Sequence, residues 1–402
     1  MQNKKVRSGV ERGIKVILTM SATFTSLAVV LIVVFLFREG ISLFREKPIE
    51  KGFVIAVNKS NPVKTIKPAK VKKIFDGQIT NWKEAGGKDV EIKLFTINDL
   101  EQYFTEEELG DNFVNLPVKI NELLSKEPGL LAYIPEKYIS KNFEGTRLEV
   151  KNVGVMGFLL GKEWFPTTEP IALFGILPMI LGTLIITLGA ILFALPLGLA
   201  TAIYMSEVAN YRIRNLLKPV IELLAGIPSV VYGFFGLVII VPLIQKSFNL
   251  PVGESGLAGS IILAIMILPT IITISEDALK NCPNSMREAS LALGATKWQT
   301  IWRVVLPYSR SGITAAIILG IGRAFGETMA VLMVTGNAAI IPHSFLEPMR
   351  TITATIAAEL GEAPQGGMHY QALFALGCIL FIITFLTNMV VEWASLQKRQ
   401  YK

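Results

Sequence analysis

The chain has 402 residues, 51% of them hydrophobic and only 18% charged, with a mean hydropathy of +0.50. A soluble protein of this length carries more charge, so the composition points to a polytopic membrane protein. Cys282 and Cys378 form neither a zinc spacing nor a disulfide framework, and the net charge of +7 must be judged from where the basic residues fall.

The first element in chain order is the apolar run 16–37, "VILTMSATFTSLAVVLIVVFLF", preceded by Lys4, Lys5, Arg7, Arg12 and Lys15. A spanning helix needs about 20 apolar residues, at about 1.5 Å each across a core of roughly 30 Å. The run is too long for a signal peptide's apolar region and is followed by "REG" rather than a small-residue cleavage site. Residues 1–45 therefore read as an amino-terminal segment with a retained first span. Residues 46–155 change character, being charged and mixed with no run long enough to span. In them "GFVIAVN", "VEIKLFTI" and "GLLAYIP" read as strands, and "KPAKVKKIFDG" and "PVKINELLSKE" as helices. That length suffices for a small inserted α/β domain. The lysines of "KTIKPAKVKK" read as a solvated helix face, with electrostatic attraction of an anion as the alternative.

From residue 156 to 402 apolar runs dominate again. Spans are expected at 177–205, 220–244, 256–274, 312–336 and 372–393, for an all-α membrane core of six transmembrane helices. With the amino terminus inside, the inner connections hold Arg212, Arg214, Lys218, Lys280, Arg287, Lys297, Arg303 and Arg310, and the tail holds Lys398, Arg399 and Lys402. The short outer loops hold only Lys246 and Arg350. The asymmetry predicts both termini cytoplasmic and the insertion outside, and it accounts for much of the basic charge without nucleic acid. Pro196, Pro228 and Pro269 fall within spans, where each is expected to kink its helix, for packing or around a pathway.

Two stretches carry more specific information. In 284–310, Asn284 or Ser285 is expected to cap a short helix with Glu288 in its first turn; Gly294 breaks it, and "TKWQTIWRVVLP" forms a second amphipathic helix ended by Pro307. Such a helix pair suits a soluble partner or, alternatively, the membrane surface. In "GRAFGET", Arg323 and Glu327 stand one turn apart on one face of an apolar run. An Arg near the bilayer centre costs about 2.5–3.5 kcal/mol on insertion scales, so a partner or a watery cavity must offset it. Glu327 is the expected partner, in a structural ion pair or in an anion waypoint. In the waypoint, Arg323 supplies forked donors and Glu327 keeps the anion from binding too tightly. Thr328 adds a hydroxyl, unless that bonds back to its own helix. Gly320, Gly322 and Gly326 are expected to permit close helix approach. His343 and His369 read as loop residues, with a metal pair as the alternative.

The 284–310 stretch is similar to the coupling-loop signature of ATP-binding-cassette importer permeases. Glu288, Ala289, Gly294, Leu306 and Pro307 stand at its positions, with Ser290 and Val304 replacing Ala and Ile. The resemblance implies a type I importer fold, and a loop seated in a separate ATPase subunit that holds the ATP and Mg. No phosphate-binding loop of that kind occurs here, since "GFLLGKEW" has the wrong spacing. The chain itself would thus be a transport subunit without a catalytic site. "IELLAGIPSVVYGFFGL", "SEDALKNCPNSMREASLALGATKW" and "GIGRAFGETMAVLMVTGN" together resemble the phosphate importer permeases of PstC type. This implies a bacterial cell membrane and inorganic phosphate as cargo, with a PstA-type sister permease, a PstB-type ATPase dimer and a PstS-type extracytoplasmic binding protein as partners. Within the insertion, "VKKIFDGQITNWKEAGGKDVEIKLF" and "EPGLLAYIPEKYI" resemble periplasmic phosphate-binding proteins. Where that family grips phosphate with an Arg and a Ser-Gly-Thr run, this chain has "TINDLEQYF"; Asp99 and Glu101 would repel an anion, which implies a degenerate lobe. The alternatives are import of sulfate or molybdate, or a receptor that signals phosphate status through the 284–310 loop.

Overall fold

The computed structural model describes residues 2–110, 113–140 and 143–397. The tail residues Lys398, Arg399 and Lys402 lie outside these, as do the side chains of Lys4, Lys5, Arg7 and Arg12. The chain divides into two compact units, one comprising the residues up to Ser42, Leu181–Ala338 and the chain from Pro342, the other Leu43–Ile180 with Ala339–Ile341.

Among the described residues six helices are long and apolar enough to cross a membrane: Gly13–Arg45, Leu177–Val208, Ser229–Phe248, Gly256–Lys280, Lys297–Gly326 and Met368–Trp393, spans one to six. The fourth span is the axis of its unit, with 61% of its apolar window buried against at most 39% elsewhere. Its Leu263, Ile267 and Ile271 pack with Ile186, Ala190 and Ala194 of the second span and Ala324 of the fifth. Between helices in lipid, such contacts rest on close van der Waals approach rather than on water exclusion. Gly189 permits that approach, because a Cβ there would collide with Ser260 of the fourth span. Ser260 in turn donates to the carbonyl of Ile186 at 3.2 Å. The first and sixth spans pair through an edge-on contact of Phe35 with Phe374, centroids 5.5 Å apart.

Two expected spans are cut differently. The run 220–244 is not one helix: Tyr211–Ala225 is a separate amphipathic helix, and the third span starts at Ser229 behind Pro228 (φ −59°, ψ 142°). A proline disfavours helical backbone at the residue before it, so the break falls where Ile227 meets Pro228. Pro196 and Pro269, by contrast, lie inside helices that continue past them. The fifth span begins earlier than expected, at Lys297, and ends at Gly326 rather than running to Gly336. Pro307 does not end a short helix. A π turn at Ile301–Val305 precedes it, and the proline sits in the first turn of Leu306–Gly326. The i→i+5 register of that turn lets the helix absorb a residue without a donor.

In the second unit a four-stranded sheet has the order β3-β4-β1-β5, formed by β1 (Phe53–Val57), β3 (Lys93–Thr96), β4 (Leu130–Pro135) and β5 (Thr146–Arg147). β1 runs antiparallel to β4, with Ile55 opposite Tyr133, and β3 runs parallel to β4. Alternation assigns the two faces. Ile55, Val57, Leu131 and Tyr133 pack with Val71 and Ile74 of helix Pro68–Phe75 and with Trp82. Ala56, Leu130, Ala132 and Ile134 pack with Leu116, Ile120 and Leu124 of helix Leu116–Lys126. A helix thus covers each face, and the expected strands and helices all form. Two further pairs, β2 (Thr65–Ile66) with β6 (Glu149–Val150) and β7 (Trp164–Phe165) with β8 (Leu173–Phe174), lie beyond the sheet. The last pair and helix Val155–Leu160 carry this unit past residue 155.

Candidate functional site

Arg323 lies in the last turn of helix Leu306–Gly326; Glu327 is extended (φ −70°, ψ 133°), and a new helix, Met329–Val334, starts after Thr328. The expected Arg323–Glu327 pair is absent from the ion pairs among the described residues. Instead Arg323 Nη1 donates to Thr270 Oγ1 of the fourth span at 3.3 Å, and Glu327 Oε1 accepts from the amide of Ala330 at 3.3 Å. The helix ends between them, so they no longer share a face. Each charge instead complements its own helix end, the cation among carboxyl-terminal carbonyls and the carboxylate at the next amino terminus, for about 0.3–1 kcal/mol each. Thr328 Oγ1 bonds back to the carbonyl of Gly326 at 3.2 Å, and Thr353 Oγ1 donates to the carbonyl of Glu327 at 2.7 Å, which pins the break.

Arg323 is exposed on the surface of this chain, and Thr270 is the one acceptor observed for its five donors among the described residues. A planar fork with most donors free is suited to an oxyanion. Thr328 and Thr353 line an open cleft of about 440 Å³ with Ile356 and Leu360. Of the three glycines, only Gly320 serves packing inside the chain, with a Cβ there 3.2 Å from Ile271; Gly322 and Gly326 face open space.

The 284–310 segment opens with helix Asn284–Ala292, behind Pro283 and without a side-chain cap. Asn284 is therefore the first helical residue, and neither it nor Ser285 caps; Asn284 Oδ1 instead accepts from Arg287 Nη1 at 3.2 Å. Gly294, at φ +86°, turns the chain in the left-handed region. Thr296 and Gln299 then form a capping box that starts the fifth span. Ser290 and Thr300 join the two arms, hydroxyl to hydroxyl at 3.0 Å. Glu288, Ala289, Gly294 and Pro307 are exposed, as are the apolar side chains of Met286, Leu291, Leu293, Trp298 and Trp302. Leu306 packs inward with Ala202, Leu279, Cys282 and Val305. Burial pushes the Cys282 thiol up, so it serves packing rather than nucleophilic chemistry.

Arg287, which spacing alone did not single out, anchors this segment. Its Nη2 donates to Glu207 Oε1 at 2.8 Å and to the carbonyl of Leu279 at 2.9 Å, and its Nη1 donates to the carbonyl of Cys282. One guanidinium thus ties the exposed helix to the ends of the second and fourth spans. Beside it the buried Glu276 pairs with Arg214, at 3.3 Å, and with Lys280. Nothing local signals the Arg287 partner, since Glu207 is 80 residues away, whereas Lys280 stands four residues from Glu276.

In the insertion, Asp99 closes the loop that follows β3. Its Oδ2 accepts from the amide of Thr96 at 3.1 Å and from Thr96 Oγ1 at 2.8 Å, so a carboxylate of the chain already occupies those donors. His369 is not a loop residue; it opens the sixth span's helix and lies 2.8 Å from Glu359 Oε2, while Arg350 Nη1 holds Glu359 Oε1 at 2.7 Å. No metal-ligand cluster occurs among the described residues.

The family model described as "Binding-protein-dependent transport system inner membrane component" matches residues 194–399, half of the chain. The "Probable ABC transporter permease protein YqgH" of Bacillus subtilis (strain 168) is 42% identical over 251 residues, 62% of this chain and 81% of the relative. The "Phosphate transport system permease protein PstC" of Mesorhizobium japonicum is 42% identical over 255 residues, 59% of this chain and 77% of the relative. The chain belongs to the PstC-type ABC transporter permeases. This PstC-type permease is a multi-pass membrane transport subunit, and its insertion matches a "PBP superfamily domain" at residues 48–142. One solved structure, a putative phosphate ABC transporter substrate-binding protein with bound phosphate from Clostridium perfringens, is 26% identical to the part of this chain it matches. That match covers 26% of this chain and 47% of that one, with a TM-score of 0.19.

Proposed function

We propose that this PstC-type permease forms half of the path of an ATP-driven phosphate importer. Both termini are then cytoplasmic and the insertion extracytoplasmic, an orientation that the Lys and Arg distribution supports. The observation that carries the reading is the pairing of a phosphate-transport family match with an exposed, anchored helix at Asn284–Ala292.

Glu288, Ala289 and Gly294 present that helix and its turn to a separate ATPase dimer that binds ATP and Mg. Arg287 passes its movement to the second and fourth spans, and Leu306 and Pro307 pass it to the fifth. A PstA-type subunit completes the path, and a PstS-type binding protein delivers phosphate. Arg323 takes the anion at the end of the fifth span, where its free donors face away from the chain's own core. Thr270 holds the guanidinium in place. Glu327, drawn into capping the next helix, leaves Arg323 uncompensated by a direct salt bridge, and its nearby charge still limits how tightly phosphate is held. The insertion acts as a degenerate binding-protein lobe, its ancestral grip closed by Asp99.

Reconstitution of the chain with its sister permease and ATPase in liposomes tests this reading. ATP-dependent entry of labelled phosphate that Glu288→Arg abolishes, with the complex still assembled or released from its ATPase, is the expected result. Phosphate entry independent of ATP, or unaffected by Glu288→Arg, would contradict it.

A further inference from the structure

We infer that the insertion carries a second anion site, a cavity for a phosphate-bearing group walled by Lys67, Lys73, Lys151 and Lys162. The cavity holds about 470 Å³ and lies wholly inside the second unit. It is separate from Arg323 and from the loop at Asp99, and the inference rests on no part of the transport reading.

Charge is the first argument. Several lysines elsewhere in this unit are matched, Lys72 with Asp76, Lys83 with Asp89, Lys93 with Glu127 and Lys119 with Glu108, while Lys51, Lys59, Lys64 and Lys88 stand unmatched among the described residues but line no part of this cavity. The four lysines of the cavity have no ion pair or side-chain hydrogen bond among the described residues, and Glu163 is the one carboxylate in its lining. Four cations against one anion around one hollow leave a net positive field that walls of low dielectric focus rather than screen. Lysine binds phosphate as a point charge without needing a fixed fork, so exposed, movable ammonium groups suffice at a rim.

Backbone geometry is the second. Helix Pro68–Phe75 begins at the cavity with Lys67 as its cap residue and no side chain closing its amino terminus. The positive end of that helix adds to the lysines. Gly154 and Gly157 of the lining present bare backbone, since a Cβ built at either meets no atom within 4 Å.

The floor is apolar, including Ala172, Leu173 and Phe174. Helix Val155–Leu160 at the rim leaves Val155, Met156 and Leu160 exposed. The amide of Leu177, first residue of the second span, is bonded to the carbonyl of Gly161 in the cavity wall at 3.1 Å. A cationic rim over apolar surface where a span begins suits the phosphate of an anionic lipid headgroup; inorganic phosphate offers the same chemistry without the tail.

The full-length chain, purified into phosphatidylcholine nanodiscs with or without phosphatidylglycerol, separates these sources. Equilibrium dialysis with labelled inorganic phosphate reads one, and native mass spectrometry of retained phosphatidylglycerol reads the other. The set Lys67→Gln, Lys73→Gln, Lys151→Gln and Lys162→Gln removes the charge. Gly157→Leu fills the space and leaves the charge, and Lys83→Gln with Lys88→Gln is the control. Loss of about tenfold or more in phosphate binding, in the lysine set and in Gly157→Leu but not in the control, assigns the site to free phosphate. The same loss confined to phosphatidylglycerol assigns it to lipid. Wild-type protein that binds neither probe, or a lysine set that binds both as wild type does, overturns the proposal. The lysines are exposed, so the set decides even where Gly157→Leu fails to fold.

Discussion

Arg287→Ala is the substitution whose consequence the structure defines most closely. The guanidinium donates to Glu207, to the carbonyls of Leu279 and Cys282, and to Asn284 Oδ1, with Arg287 18% and Glu207 11% exposed. Hydrogen bonds to charged groups contribute about 1.5–3 kcal/mol each, and stranding one member of a buried pair costs about 3–5 kcal/mol. The residual exposure lowers this, and about 3 kcal/mol is a fair figure for undocking helix Asn284–Ala292 from the span ends. At 1.4 kcal/mol per tenfold, the docked population then falls about 100-fold relative to the undocked one. Limited proteolysis within residues 284–296 of the membrane-embedded chain reads that ratio, and phosphate uptake is measured on the same preparations. Cleavage is expected to rise toward 100-fold in Arg287→Ala. Arg287→Lys should fall between, because a single ammonium cannot span the carboxylate and both carbonyls. Glu207→Gln should be mildest, since it leaves the carbonyl bonds intact. Uptake should decline in the same order. Wild-type cleavage and uptake in Arg287→Ala, or a stronger effect from Glu207→Gln, would refute the anchoring role.

Other expectations follow from single positions. Gly294→Val should destabilise the turn by about 1–3 kcal/mol through backbone strain alone, since φ is +86° and the space around it is open; Gly294→Asn should be milder, by thermal unfolding in detergent. Gly189→Val should cost about 1–3 kcal/mol by forcing the second span off Ser260, read as a loss of thermal stability with the insertion's own fold unchanged. Burial, aided by the Glu50 carboxylate that accepts its hydroxyl at 3.1 Å, pushes the Tyr133 phenol well above its ordinary range. Above about pH 10 the unfolded chain releases that proton and the folded chain keeps it, so this contribution is whole below pH 10 and declines as pH rises. Tyr133→Phe should leave the tyrosinate absorbance that develops near pH 10 unchanged in amplitude; a loss of one tyrosine's worth would contradict the burial.

Much of this fold is legible in run length and period. A bilayer demands about 20 apolar residues per crossing, so the six spans stand out whatever their packing. The insertion's strands read as short apolar runs, because both faces of its sheet are covered, and its helices follow from 3.6-residue spacing. The breaks were less legible. Tyr211–Ala225 and the third span merge into one apolar stretch, and only Pro228 marks the division. Pro307 reads as a stop because the π turn that absorbs it has no sequence signature. Arg323 and Glu327 read as a pair because four residues make one turn only while the helix lasts, and it ends at Gly326. The link of Arg287 to Glu207 is long-range, and no spacing rule reaches across 80 residues.

Labelled phosphate uptake at low external phosphate, by cells lacking the chain and then re-supplied with it or with Arg323→Ala, tests the central claim most directly. The account predicts uptake restored by the native chain, unaffected by excess sulfate, and lost or strongly reduced with Arg323→Ala although the protein reaches the membrane. Uptake indifferent to the chain, or fully competed by sulfate, would contradict it.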